Sequence, residues 1–126
     1  MSNYLENALI NATLRNTTYT SVATIYVALY TADPTDADLT ANEVTGGSYA
    51  RTSVTFAAPS NGVSLNSADV TFPTCTAAWG TVTHIGLRDA STAGNLLYHS
   101  PLDDSKSVGI GDVFKITTGN LSVTLA

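Results

Sequence analysis

An antiparallel β-sandwich, immunoglobulin-like or jelly-roll-like, with one short N-terminal α-helix is the fold this sequence predicts. Two observations carry that expectation. Short runs rich in Val, Ile, Tyr, Phe and Thr are cut apart by clusters of Gly, Pro, Asn and Asp along most of the chain, the pattern of many short strands joined by turns. Threonine supplies about one residue in six, and its branched Cβ suits a pleated sheet better than a helix. The 126 residues suffice for one hydrophobic core but not two, so residues 1–126 read as a single domain.

The elements follow in order. Asn3 and Glu6 have the spacing of a capping box, and Leu5, Ala8, Leu9 and Ala12 recur at helical spacing, which predicts a helix over about residues 3–15. Such a helix either closes one end of the β core or docks on a neighbouring subunit. Residues 16–21 are Asn, Thr, Tyr and Ser, mostly side chains that compete for backbone hydrogen bonds, and form a connector. The nearly continuous apolar run 25–31 is a central strand, and Pro34 prevents its continuation. Residues 33–38 place three carboxylates at close spacing but lack the mid-loop Gly and terminal Glu of an EF-hand. A solvated loop is the reading there.

Gly46-Gly47 turns the chain into an alternating strand over 49–56, with Tyr49, Arg51, Ser53 and Thr55 opposite Ala50, Thr52, Val54 and Phe56. Val63 and Leu65, followed by Val70 and Phe72, suggest a hairpin bent near Asn66-Ser67 and closed by Pro73. Trp79-Gly80 opens a strand over about 81–88, with Val82, His84, Gly86 and Arg88 opposing Thr81, Thr83, Ile85 and Leu87. Residues 96–100 form a strand ended by Pro101. Residues 103–107 form an exposed bend and 109–112 a turn. Residues 113–117 and 121–125 flank Gly119-Asn120 as a terminal hairpin.

Composition excludes several functions. Five Lys and Arg against ten Asp and Glu give a formal charge of −5, the wrong sign for phosphate contacts, so nucleic acid is not the partner. Only 12% of residues are charged, about half the usual share, which lowers the desolvation cost of packing against protein neighbours. Cys75 is alone: no internal disulfide forms, and the thiol reads as a small apolar group in or beside a strand. Neither a signal-peptide pattern nor a membrane-spanning run is visible, which predicts a protein made in the cytoplasm and used there or in a particle assembled there.

No catalytic constellation emerges. His84 and His99 have no metal-type spacing with Cys75 or a carboxylate, so no metal or cofactor is expected. Asp103-Asp104 lie on a polar bend, without the apolar setting that tunes a catalytic carboxyl. Gly-x-Ser-x-Gly and Gly-rich phosphate-loop patterns are absent from the sequence. Tyr26, Tyr30, Tyr49, Trp79 and Tyr98 are the candidate interface or receptor-binding residues, because aromatic rings combine contact area with a polar handle. Core packing competes for each. Trp79 reads first as a core plug, then as an inter-subunit anchor, then as a platform for sugar.

Four features in order, the N-terminal helix, residues 26–34 (Tyr-Val-Ala-Leu-Tyr-Thr-Ala-Asp-Pro), Gly46-Gly47-Ser48-Tyr49-Ala50-Arg51, and the run from Trp79 to Asp89, resemble a family of small bacteriophage virion proteins, described as tail-fibre-like or capsid-decorating. The resemblance covers most of the chain and implies a structural or adhesive role without catalytic residues. It implies a non-enzymatic virion protein that decorates and cements the outer capsid surface, bound to the major capsid protein and to copies of itself as a homotrimer. The alternative it implies is a tail-fibre or tailspike domain contacting a host receptor or surface glycan.

Overall fold

The computed structural model describes residues 1–125; Ala126, the last residue of the predicted domain, lies outside the described residues. Among the described residues one α-helix, α1 (Asn3–Leu14), precedes eight strands, β1 (Ile25–Tyr30), β2 (Thr52–Val54), β3 (Val63–Leu65), β4 (Val70–Thr71), β5 (Gly80–Arg88), β6 (Leu96–Val108), β7 (Lys115–Ile116) and β8 (Ser122–Thr124), with a single 3-10 turn (Thr40–Asn42) between β1 and β2. The fold is all-β and antiparallel apart from α1. Among the described residues no helix is long and apolar enough to cross a membrane.

Strand β1 is central, as its apolar run predicts, within a sheet of order β2-β1-β5-β6. Successive side chains of a strand point to opposite faces. Val27 and Leu29 join Val54, Ile85 and Leu87 in the main core, while Ala28 and Tyr30 form a second cluster with Leu96. Both faces of the sheet are therefore covered, which is why residues 27–30 are all buried.

The second layer departs from the predicted hairpins. Strand β3 pairs with β8, Ser64 opposite Val123, and β4 with β7, Val70 opposite Ile116; neither the 63–72 nor the 113–125 hairpin forms. The bend residues bond to each other across the two segments instead of reversing each chain on itself. Asn66 donates its backbone N–H to Leu121 O (2.9 Å) and accepts the Leu121 N–H at Oδ1 (3.0 Å). Its Nδ2 donates to Ala68 O and Thr117 O, and its carbonyl accepts the Gly119 N–H. Val70, Phe72, Phe114, Ile116, Leu121 and Val123 pack from this layer against the main core, making a two-layer sandwich.

Further predictions are corrected. Pro101 does not end a strand: β6 continues through the predicted 103–107 bend to Val108. Its pairing is nevertheless interrupted just past the proline, where residues 102–105 stand against Thr83 alone, between the pairs Val82–Lys106 and His84–Pro101. A proline without an N–H on an edge strand, followed by a bulge, accounts for this. The predicted alternation in β5 also breaks beside this register shift, where Val82 and Ile85, three apart, both enter the core.

The alternating strand over 49–56 shrinks to Thr52–Val54, because Tyr49 and Arg51 turn their side chains toward Glu43. The helix cap falls one residue earlier than predicted. Ser2 Oγ accepts the Leu5 N–H (3.2 Å) and donates to Leu96 O, while Ser2 N–H reaches Leu97 O and Asn3 N–H reaches Asp36 O, both at 2.9 Å. Beyond this anchor the helix is held lightly: Leu5 is its one fully buried residue, Ala8, Leu9 and Ala12 are half-buried, and Tyr4, Ile10 and Leu14 are exposed.

Candidate functional site

Two internal arginines organise one end of the molecule. Arg51 grips Glu43 through both arms, Nε to Oε2 and Nη2 to Oε1 at 2.8 Å each, and its Nη1 donates to Ala90 O (3.0 Å) and Ala93 O (2.8 Å). Arg88, 1% exposed, holds Asp38 in the same forked way, Nη1 to Oδ1 at 2.5 Å and Nη2 to Oδ2 at 2.9 Å. It also donates to Tyr30 Oη (3.0 Å), Gly94 O (3.1 Å) and Ala93 O (3.4 Å). Both guanidinium groups thus converge on the 89–95 loop. Asp89 closes that loop by accepting the Asn95 N–H (2.6 Å) and side-chain amide (3.0 Å).

The charges are tuned by this packing. Burial works against the Glu43 carboxylate, but hydrogen bonds from Arg51 and Tyr49 outweigh it and hold its pKa below the ordinary range. Burial pushes the Tyr49 phenol well above its usual value, and its bond to Glu43 adds to the effect. Burial likewise raises Tyr30 despite the nearby Arg88. Tyr49 Oη accepts the Leu29 N–H (3.0 Å) and donates to Glu43 Oε2 (2.7 Å). This ties the Gly46-Gly47 turn region to the central strand.

The loop over residues 33–38 is exposed at Asp33, Asp36 and Ala37, as its composition predicts, but two of its carboxylates are paired. Asp38 pairs with Arg88, and Asp36 Oδ1 lies 2.7 Å from His99 Nε2. His84 Nδ1 lies 2.8 Å from Thr83 Oγ1, so each histidine has its own partner. Among the described residues no group of three or more His, Cys, Asp or Glu is placed to hold a metal ion. Cys75 is buried, with its thiol directed to Ala77 O.

Of the aromatic candidates, the structure brings Tyr49 and Trp79 together. Trp79 packs edge-on to Tyr49 at 5.5 Å between centroids, Tyr49 stacks toward Phe72 at 6.3 Å, and Phe72 meets Phe114 edge-on at 5.6 Å. Trp79 is buried, and its indole N–H is satisfied by Gly47 O at 2.9 Å. Tyr30 is fully buried beside Arg88. Tyr26 is half-buried opposite Arg88. Tyr98, also half-buried, stands opposite Leu87 and lines an apolar groove of about 320 Å³ with Ile25, Phe56, Leu97 and Val123.

Sequence reasoning missed Glu43, Asp38, Arg51 and Arg88 as a unit. The available signal was the scarcity of cations, together with two arginines set among strand residues.

A protein-family model described as Podophage GP4 fiber I protein gp80 matches residues 1–124. The chain belongs to that family. As a member of the gp80 fibre family it is a virion-associated structural protein of a bacteriophage, in agreement with the resemblance seen in its sequence motifs. No curated protein matches the chain. In this gp80-family chain, the polar side chains that look most capable of chemistry are turned inward, onto the loops they brace.

Proposed function

We propose that this chain is a non-enzymatic building block of a podophage fibre, whose task is to hold a rigid surface toward neighbouring copies and toward a host receptor or glycan. The observation that carries this reading is the fibre-family match over residues 1–124. The internal arginine network supports it, since a loop braced by side chains at both ends keeps its shape without a bound partner and loses little entropy on contact. The buried pairs Arg51–Glu43 and Arg88–Asp38 use their charge for that bracing rather than for a substrate.

Capsid decoration, with a trimer cementing the shell through the major capsid protein, draws on the same phage-family membership but lacks the word fibre in its favour. Labelling the protein on intact particles and imaging them by cryo-EM separates the two. A few copies confined to the tail, with loss of host adsorption when the protein is removed, are expected. Many copies spread over the shell, with lower heat tolerance on removal, would replace the fibre reading by the cement.

A further inference from the structure

Residues 1–23 hang on the body by one end. Among the described residues, only Ser2 and Asn3 of this arm hydrogen-bond to the rest of the chain: Ser2 to the carbonyls of Leu96 and Leu97 at the start of β6, and Asn3 to Asp36 O. Helix α1 packs chiefly on β6, and Leu5 is its one fully buried residue. The strap 15–24 is exposed except at half-buried Tyr19. Its Arg15 and Thr17 N–H groups bond back to Asn11 O in the helix, both at 3.1 Å, and not to the sandwich. A segment with so few buried side chains and bonds opens ahead of the core.

An opened arm has one kind of surface to return to. A helix of 12 residues is marginal alone in water, so the freed arm must redock. The surface that fits it is visible in the closed chain: the Leu96, Leu97 and Asp36 carbonyls and the seat of Leu5. Every copy carries that surface, and β6 is an edge strand, the part of a sheet most open to another chain. The strap 15–24 extends to ~35 Å, about the width of a domain of this length, whose radius of gyration is ~14 Å. It therefore reaches a neighbour lying alongside. The closed path also turns at Asn16 with φ +52°, a conformation that an extended strap does not need. Redocked on a neighbour, the arm recovers the bonds it left, so strap conformation and protein concentration decide between the two states.

We infer that this chain exchanges its N-terminal arm with a second copy, α1 of one docking on β6 and the 33–38 loop of the other. Reciprocal exchange closes a dimer, and exchange passed from copy to copy closes a ring or links a row. Either arrangement would serve a fibre or a shell alike, so arm exchange stands apart from the fibre reading.

The test uses the full chain with Cys75→Ser. A chain carrying Asn3→Cys is mixed at high concentration with one carrying Asp36→Cys, incubated and oxidised. Covalent heterodimers should exceed homodimers of either chain, because only an exchanged arm brings the two positions together. With both substitutions in one chain, oxidation in dilute solution should lock the arm onto its own body, since the two backbones meet at 2.9 Å, within reach of a disulfide. Sedimentation velocity should then show loss of an association that reduction restores. Undiminished association of the locked chain, no more heterodimers than homodimers, or a wild type monomeric at every concentration would overturn the inference.

Discussion

Arg88 shows what a cation needs in order to live inside a small domain. Removing an ion from water costs several kcal/mol, recovered only when geometry and hydrogen bonding are both good. Arg88 has a forked contact with Asp38, the Tyr30 hydroxyl and two loop carbonyls, leaving only its Nε without a partner. Asp38→Ala strands that charge and should destabilise the fold by about 3 kcal/mol, read as a lowered urea midpoint. Glu43 makes the fold acid-sensitive. Its folded pKa is lowered, so its contribution is complete above the ordinary Glu value, about 4.3, and is lost as pH falls through the lowered value. Thermal melts should show that decline, and Glu43→Gln should flatten it.

The tyrosines act with the opposite sign. Tyr49 and Tyr30 have raised folded values, so the stability of their neutral forms is complete below about pH 10 and falls as pH rises beyond it. Tyr49→Phe should cost about 1–2 kcal/mol at neutral pH by unpairing the Leu29 N–H, and should blunt the alkaline decline in the same melts. For Tyr30 and Tyr49 the sequence left core packing and an interface role side by side, and the structure packs both against the interior. Their ionic partners were not legible in the sequence. Arg88 and Asp38 are 50 positions apart, and no local pattern encodes a contact at that distance.

The strands teach a related lesson about turns. β1 and β5 were readable because each carries enough apolar residues to declare its burial, and they pair in register over 26–30 and 84–88. The second layer was misread because Asn66-Ser67 and Gly119-Asn120 have the composition of reversals, yet composition does not say whether a bend pairs with its own flank or with another segment. Asn66 decides the matter by satisfying backbone groups of the 117–121 stretch. Asn66→Ala should therefore cost about 2–3 kcal/mol, through carbonyls and an N–H left buried and unpaired. Amide hydrogen exchange at Gly119 and Leu121 should accelerate more than exchange in β1. Gly47→Ala should be severe for another reason: φ is +58°, and an added Cβ would lie 2.1 Å from Ala77 O and 2.9 Å from Trp79. Loss of cooperative unfolding in the purified variant is the expected readout.

For the molecule as a whole, the motifs pointed to phage virion structural proteins without separating fibre from capsid decoration, while the pairing of β3 with β8 and β4 with β7 became visible only once strands distant in sequence met in space. One consequence concerns ions in the surrounding medium. With Arg51 and Arg88 folded inward against Glu43 and Asp38, the cations left outside are Arg15, Lys106 and Lys115, against eight remaining carboxylates. Negative side chains thus outnumber positive ones more than twofold outside these pairs, and Lys115 and Asp69 are engaged with each other. Copies brought side by side repel one another over about a Debye length, ~10 Å at 0.1 M salt and ~30 Å at 0.01 M. Adding simple salt should therefore tighten self-association, the reverse of what a contact made by surface ion pairs would do. Arrays built from this chain should loosen on dilution into fresh water and firm up again in brine.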